Sequence, residues 1–407
     1  MRVLLTSGPV YSHLVPMMLP IASALQSSGH EVAVATSATL ADELHRCRLR
    51  HLLLPRMLAP SQMASDPDYA RQVGLSEEGV PLPELGTMER GAAFGRLFAG
   101  LTATRAAEDM LAVASAFRPD LVVRECTELG GYLFAERHDL PCITLDIAPL
   151  VPTRHQGMLP WLNESRATLK LPSVDDTSGL NGCGWVSWLP EPWYPDNLRS
   201  RALRCYRGDC GSAQQLDPVI AALPADRPFV LATLGSNTWA TPRESLPFRQ
   251  IVEALGALPC TAVVALGQDA DPAAWTGPRP DNVHLVSFAQ QRLLLPACDL
   301  FVTHAGFGGI REALSAGVPM VAIPLGAEQP ANARRMSELG LGIGLRLENA
   351  DTATVTAVCR HLLDDPVYRR AARGFQRRIL GLPGVDWLVA DLGKLTDSHR
   401  LHRAKRH

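Results

Sequence analysis

The residues best placed by type and spacing to do chemistry lie between 287 and 329, reading SFAQQRLLLPACDLFVTHAGFGGIREALSAGVPMVAIPLGAEQ. A strand expected over 300–303 runs into His304, then Gly306, Gly308 and Gly309, then a helix expected over 310–316. Glycines let a backbone approach an anion closely. A helix N-terminus adds free N–H groups and the positive end of its dipole. With one more donor from His304, this is a cradle for a diphosphate. A tight strand-to-helix turn would need glycine too, and that plainer reading stays beside it. A dinucleotide fingerprint is excluded, because Arg311 stands where the third small residue belongs. Hydride transfer is therefore disfavoured.

Near the N-terminus, His13 follows the first expected strand. An imidazole titrates near neutral pH, so it can take a proton from an alcohol. A single loop histidine also serves plain structural roles. Asp269-Ala270-Asp271 has the spacing of a metal-binding pair of carboxylates, but it sits in a proline-rich loop. The diphosphate already has a helix terminus, so no metal and no cofactor is expected.

These residues need elements to position them. Residues 2–7 read as a buried parallel strand, a loop covers 8–14, and Pro16 opens a helix that Gly29 ends. Residues 31–36 give the next strand, which makes a βαβ unit. The pattern returns as a strand over 120–123, a helix over 129–137 and a strand over 142–146. A second series begins at 228, with strands over 229–234, 262–266, 284–286, 300–303 and 320–323. Two such series predict an α/β chain of two Rossmann-like domains facing across a cleft, with functional loops right after strands. The boundaries are 1–210 for the first domain, 211–227 for a linker, 228–380 for the second and 381–407 for a closing helix. Residues 57–91 and 151–190 read as long loops, mobile or functional. Trp161, Trp185 and Trp188 in the latter are either packing or an apolar wall for a bulky ligand.

Composition agrees with this. The 407 residues are 46% hydrophobic and 20% charged, enough for two full cores. A net charge of -2 points to neither nucleic acid nor an anionic membrane. No apolar run is long enough to span a membrane. Nine scattered cysteines without a CxxC pair fit reduced thiols. A cytoplasmic setting is expected.

The segment around His304 resembles the donor-binding signature of the family-1 glycosyltransferases of GT-B fold, with a run H-x-G-x-x-S/T-x-x-E followed by D/E-Q. The spacing from His304 to Glu312, and on to Glu328 and Gln329, matches without insertion. By that resemblance His304, Gly306, Gly308 and Gly309 meet the diphosphate. Glu312 accepts from the nucleoside's hydroxyls, and Glu328 and Gln329 hold the transferred sugar. Phe288 stands where tryptophan is usual and can still stack on a base. Gln290 replaces a usual proline, and Gln291 is the family's glutamine. Gly309 replaces a small hydroxyl residue. Thr233-Leu234-Gly235-Ser236 looks like the second phosphate loop, with Ser236 as hydroxyl donor. His13 falls where the family keeps its general base. Glu125 falls at the place of its aspartate partner, although Glu128 competes, and either could pair with Arg124 instead.

The resemblance is strong over 284–345, moderate over 1–36 and 118–146, and architectural elsewhere. It implies a last helix that crosses back onto the first domain. It is closest to bacterial enzymes that decorate antibiotics and other natural products. That implies an inverting transfer from a dTDP-sugar to a hydroxyl of a small hydrophobic aglycone. A UDP-hexose enzyme and a catalytically silent sugar-nucleotide-binding partner are the alternatives. A homodimer is left open.

Overall fold

The structure is a computed structural model and describes residues 1–74, 87–150, 155–199, 203–208, 215–235 and 246–404. The chain divides into two compact units. One comprises Met1–Asp209 with Leu382–His407, the other Cys210–Gly381.

The first unit is built on seven parallel strands: β1 (Arg2–Thr6), β2 (Glu31–Thr36), β3 (Arg50–Leu53), β4 (Leu121–Glu125), β5 (Cys142–Leu145), β6 (Gly184–Ser187) and β7 (Leu203–Cys205). Their order is β3-β2-β1-β4-β5-β6-β7. The second unit holds six: β8 (Phe229–Thr233), β9 (Thr261–Ala265), β10 (Val283–Val286), β11 (Leu300–Thr303), β12 (Met320–Ala322) and β13 (Gly342–Gly344). Their order is β10-β9-β8-β11-β12-β13. All the pairings are parallel.

Strands buried on both faces are mostly apolar, and the central ones carry apolar runs with polar residues near their ends. Leu4, Ala33 and Val122 are fully buried in the first core, as are Val230, Val264 and Val302 in the second. In each unit the direction of connection reverses once, between β1 and β4 and between β8 and β11. Ligands of such sheets sit beyond the strand ends at that reversal.

The structure departs from the sequence reading at several places. The helix after β1 starts at Tyr11, not at Pro16. It runs as Tyr11–His13, a wider π-turn over Leu14–Met18, and Leu19–Ser27. Pro16 has no N–H to give an i→i−4 bond, and a π-turn is one way a helix absorbs that gap. His13 is thus on a helical turn, not in a loop. The stretch read as a loop over 57–91 contains the helices Pro60–Ser65, Pro67–Val73 and Thr87–Phe98. Proline opens the first two, and Asp66 caps the second. Likewise 151–190 contains the helix Leu159–Thr168 and β6. Trp185 and Trp188 are buried, so they pack the core and form no ligand wall. Trp161 is partly buried, beneath the Arg96 guanidinium.

The last helix, Val385–Ala404, belongs to the first unit and packs on Leu19–Ser27. The Tyr206 hydroxyl donates to Asp391 Oδ2 at 2.8 Å, and Arg400 pairs with Asp120 at 2.6 Å. No helix among the described residues is long and apolar enough to cross a membrane.

Candidate active site

In the first unit, β1 and β4 deliver two loops to the reversal point. Gly8 follows β1, and the next helix begins three residues on. Its first turn carries His13, whose Nδ1 lies 3.6 Å from Glu125 Oε1 at the end of β4. That is close enough for charge pairing and longer than a hydrogen bond. The His13 side chain is 29% exposed and that of Glu125 is 0%. One partner can therefore meet a ligand while the other cannot.

Glu125 is held from several sides. The Thr127 amide donates to Oε2 at 2.6 Å, and the Thr127 hydroxyl reaches Oε1 at 2.6 Å and Oε2 at 2.8 Å. The Gly8 amide donates to Oε1 at 3.3 Å. Burial opposes the charge, but His13 and Thr127 outweigh it and hold the carboxyl below its ordinary range.

Glu128 has a different job. It accepts from the Thr6 hydroxyl at 2.5 Å and from the Gly131 amide at 2.9 Å, tying β1 to the first turn of the helix Gly130–Arg137. Burial pushes its carboxyl up. A Cβ on Gly131 would come within 2.2 Å of the Thr6 hydroxyl, so only glycine permits this approach. Arg124 pairs with neither carboxylate in this arrangement. Its guanidinium donates to the carbonyls of Glu125, Cys126, Glu128 and Leu180.

In the second unit the strand ends β8 and β11 lie side by side, Thr233 opposite Thr303. Each threonine hydroxyl accepts from an amide two residues on, Gly235 at 3.3 Å and Ala305 at 3.2 Å. The two loops thus turn alike. Between them stands the His304 imidazole. A Cβ on Gly235 or on Gly306 would lie 2.5 Å from that ring. Both glycines are therefore required by the histidine as well as by anything it binds. Burial lowers the His304 pKa to about 4, so the ring is neutral near pH 7. Its Nδ1 is buried with no hydrogen-bond partner among the described residues.

Gly306 caps the helix Phe307–Ala316 without a side-chain bond, and the first backbone return is Ile310 N–H to the Gly306 carbonyl. The preceding N–H groups of that turn point out of the helix end. A Cβ on Gly308 would meet open space, whereas one on Gly309 would face Thr303 and Gln291. Ala305 adopts a left-handed φ of 64°. The fully buried Asn332 steadies it, donating to the Ala305 carbonyl at 3.0 Å.

The remaining expected residues surround this turn. Gln291 donates to Glu312 Oε2 at 2.7 Å, joining the loop after β10 to the helix after β11. Phe288 is 53% exposed at the carboxyl end of β10. The Gln329 carbonyl oxygen accepts from Leu325 and Gly326 N–H groups at 2.7 and 3.1 Å, which leaves its amide nitrogen for a ligand. Glu328 is partly buried beside it. Ser236 lies outside the described residues. Asp271 caps a short turn by accepting from Ala273 N–H at 2.9 Å.

Residues 249–395 match the family model described as "Erythromycin biosynthesis protein CIII-like, C-terminal domain". The chain is 27% identical to tylactone mycaminosyltransferase of Streptomyces fradiae, over 100% of this chain and 94% of that one. It is 28% identical to L-demethylnoviosyl transferase of Streptomyces niveus, over 92% of each. Its structure is similar to that of the glycosyltransferase VinC in complex with dTDP. The TM-score is 0.77 at 22% identity, covering 98% of this chain and all of that one (100%). The chain is a glycosyltransferase of GT-B fold, similar along its length to these antibiotic-sugar transferases.

In this glycosyltransferase the expected residues gather at the carboxyl edges of the two sheets. His13 and Glu125 gather in the first unit. His304, the glycine turn, Gln291 and Glu312 gather in the second, with Phe288, Glu328 and Gln329 on neighbouring loops. Sequence reasoning missed Thr6, Thr127, Thr303 and Asn332. A threonine at or just past a strand end was the available signal for three of them. Asn332 sat unremarked within AEQPANA.

Proposed function

We propose that this glycosyltransferase moves a deoxysugar from a dTDP-sugar onto a hydroxyl of a small apolar natural-product aglycone, with inversion and with His13 as general base. The observation that carries the reading is His13, partly exposed, 3.6 Å from the buried and charge-favouring Glu125. An alcohol is a weak nucleophile until its proton has somewhere to go. The outer ring nitrogen of His13 accepts that proton as the oxygen attacks the anomeric carbon from the face opposite the leaving diphosphate. Glu125 stabilises the resulting imidazolium and fixes the ring's tautomer. Its lowered pKa makes it the weaker base, which keeps the proton on His13.

The leaving group is met by the second unit. His304, neutral at physiological pH, contributes a hydrogen bond and not a charge. The open N–H groups of the turn at 306–309 contribute the rest. Ser236 supplies a further hydroxyl in this reading. Phe288 stacks on the base, Gln291 and Glu312 read the nucleoside, and Glu328 and Gln329 read the sugar. No divalent metal takes part in the proposed step, and the setting is cytoplasmic. The names of tylactone mycaminosyltransferase and L-demethylnoviosyl transferase, and the dTDP complex of VinC, support the donor and acceptor classes.

The test is a matrix of dTDP-deoxysugars and UDP-hexoses against apolar polyketide alcohols, with and without chelator. The product's anomeric configuration is read by NMR. Turnover with dTDP-sugars, inverted products and indifference to chelator are expected. Strict UDP-hexose use, retained configuration or a magnesium requirement would each remove the corresponding part of the proposal.

A further inference from the structure

We infer that Thr127 is the positioning residue of the base pair. It holds the Glu125 carboxylate in the one orientation from which Oε1 faces His13. This deepens the reading of His13 as base and rests on it.

Glutamate has one more rotatable bond than aspartate, so a glutamate at the end of β4 has more ways to point. Thr127 removes that freedom. Its amide binds Oε2 at 2.6 Å while its hydroxyl spans both oxygens, at 2.6 and 2.8 Å. The side chain therefore folds back on the backbone two residues ahead, as an aspartate does in an Asx-turn. Gly8 closes the pocket. Its amide donates to Oε1, and a Cβ there would stand 3.2 Å from that atom. With Oε2 turned to the Thr127 amide, Oε1 is the oxygen left toward His13.

The other titratable groups of this turn do not compete for His13. Cys126 is a buried thiol pushed well up, Glu128 is spent on Thr6 and Gly131, and Arg124 is spent on carbonyls. Thr127 touches neither donor nor acceptor in this scheme and acts only through Glu125.

Thr127→Val keeps the shape and the amide but removes the hydroxyl. A bare carboxylate holds the dyad's proton more tightly, so the acid limb of the kcat profile moves to higher pH. Losing one hydrogen bond to a charged group corresponds to about a tenfold fall in kcat. The donor KM stays unchanged, and Thr127→Ser restores both limb and rate. In a His13→Ala background Thr127→Val adds nothing further. Thr127→Ala gives the same readout if valine disturbs the turn. A wild-type acid limb in Thr127→Val, or an equal loss on top of His13→Ala, would make Thr127 merely structural and overturn the assignment. Near-wild-type turnover in His13→Ala alone would instead sink the base reading beneath it.

Discussion

At the residue scale the two histidines of the proposed mechanism are set up in opposite ways. His13 has a carboxylate beside it and partial access to solvent, which suits an imidazole that must gain a proton. His304 has a depressed pKa, two glycines against its ring and no carboxylate partner among the described residues, which suits an imidazole that must stay neutral and donate. This makes a prediction about stability. The folded His304 binds its proton only near pH 4, while the unfolded chain binds it near 6.5. Its neutral form therefore stabilises the fold fully above pH 6.5, and that contribution falls as pH drops toward 4. His30 and His138 are lowered by burial too, so wild type alone does not isolate His304. Urea unfolding of wild type and His304→Gln at pH 7.5, 5.5 and 4.5 does. The variant should lose less stability on acidification. Parallel curves would contradict the account of this ring.

The glycines make a second expectation. A methyl group at 306 collides with the His304 ring, so Gly306→Ala should weaken dTDP binding by about 1–3 kcal/mol. Calorimetric titration checks this. The same change at Gly308, where a Cβ meets open space, should cost the fold little. Its effect should appear only with the diphosphate present.

At the scale of elements, the helix Tyr11–Ser27 departs from regular geometry through the π-turn over Leu14–Met18. Its π-turn is braced by Trp188, whose indole N–H donates to the Met17 carbonyl at 3.0 Å. Trp188→Phe removes that hydrogen bond and leaves a small void. Stability should fall by about 1–3 kcal/mol, and turnover should fall with it, while dTDP affinity holds. Chemical unfolding beside a dTDP titration separates the two effects. An unchanged midpoint would show that the turn needs no brace.

This element also shows what a sequence can reveal. The βα order and the His304 turn were legible, because buried parallel strands leave apolar runs and a strand-to-helix anion turn needs glycine. The early helix start was hidden, since a proline normally marks a beginning and here sits inside. Strands β3, β6, β7 and β13 left no clear runs. They have three or four residues each, with glycine or arginine among them. The Thr127 clamp was also hidden, because a side chain folding back two residues has no periodic signature. The roles of Glu125 and Glu128 could not be told apart until the Thr6 and Gly131 bonds of Glu128 were visible.

At the scale of the whole molecule, the proposal divides the labour between the two units. Residues that would hold the donor fall within Cys210–Gly381, while the base pair falls within Met1–Asp209. Variants should sort accordingly. Changes at Gly306, Gln291 or Glu312 raise the donor dissociation constant, whereas Glu125→Gln lowers kcat and leaves that constant alone. The most direct measurement is the single-turnover rate of His13→Ala on an unactivated alcohol acceptor, with donor saturating and its affinity measured on the same sample. The account expects unchanged donor affinity and a rate reduced roughly 10²–10⁴-fold, the usual cost of losing a general base. A rate near wild type at full donor occupancy would contradict it.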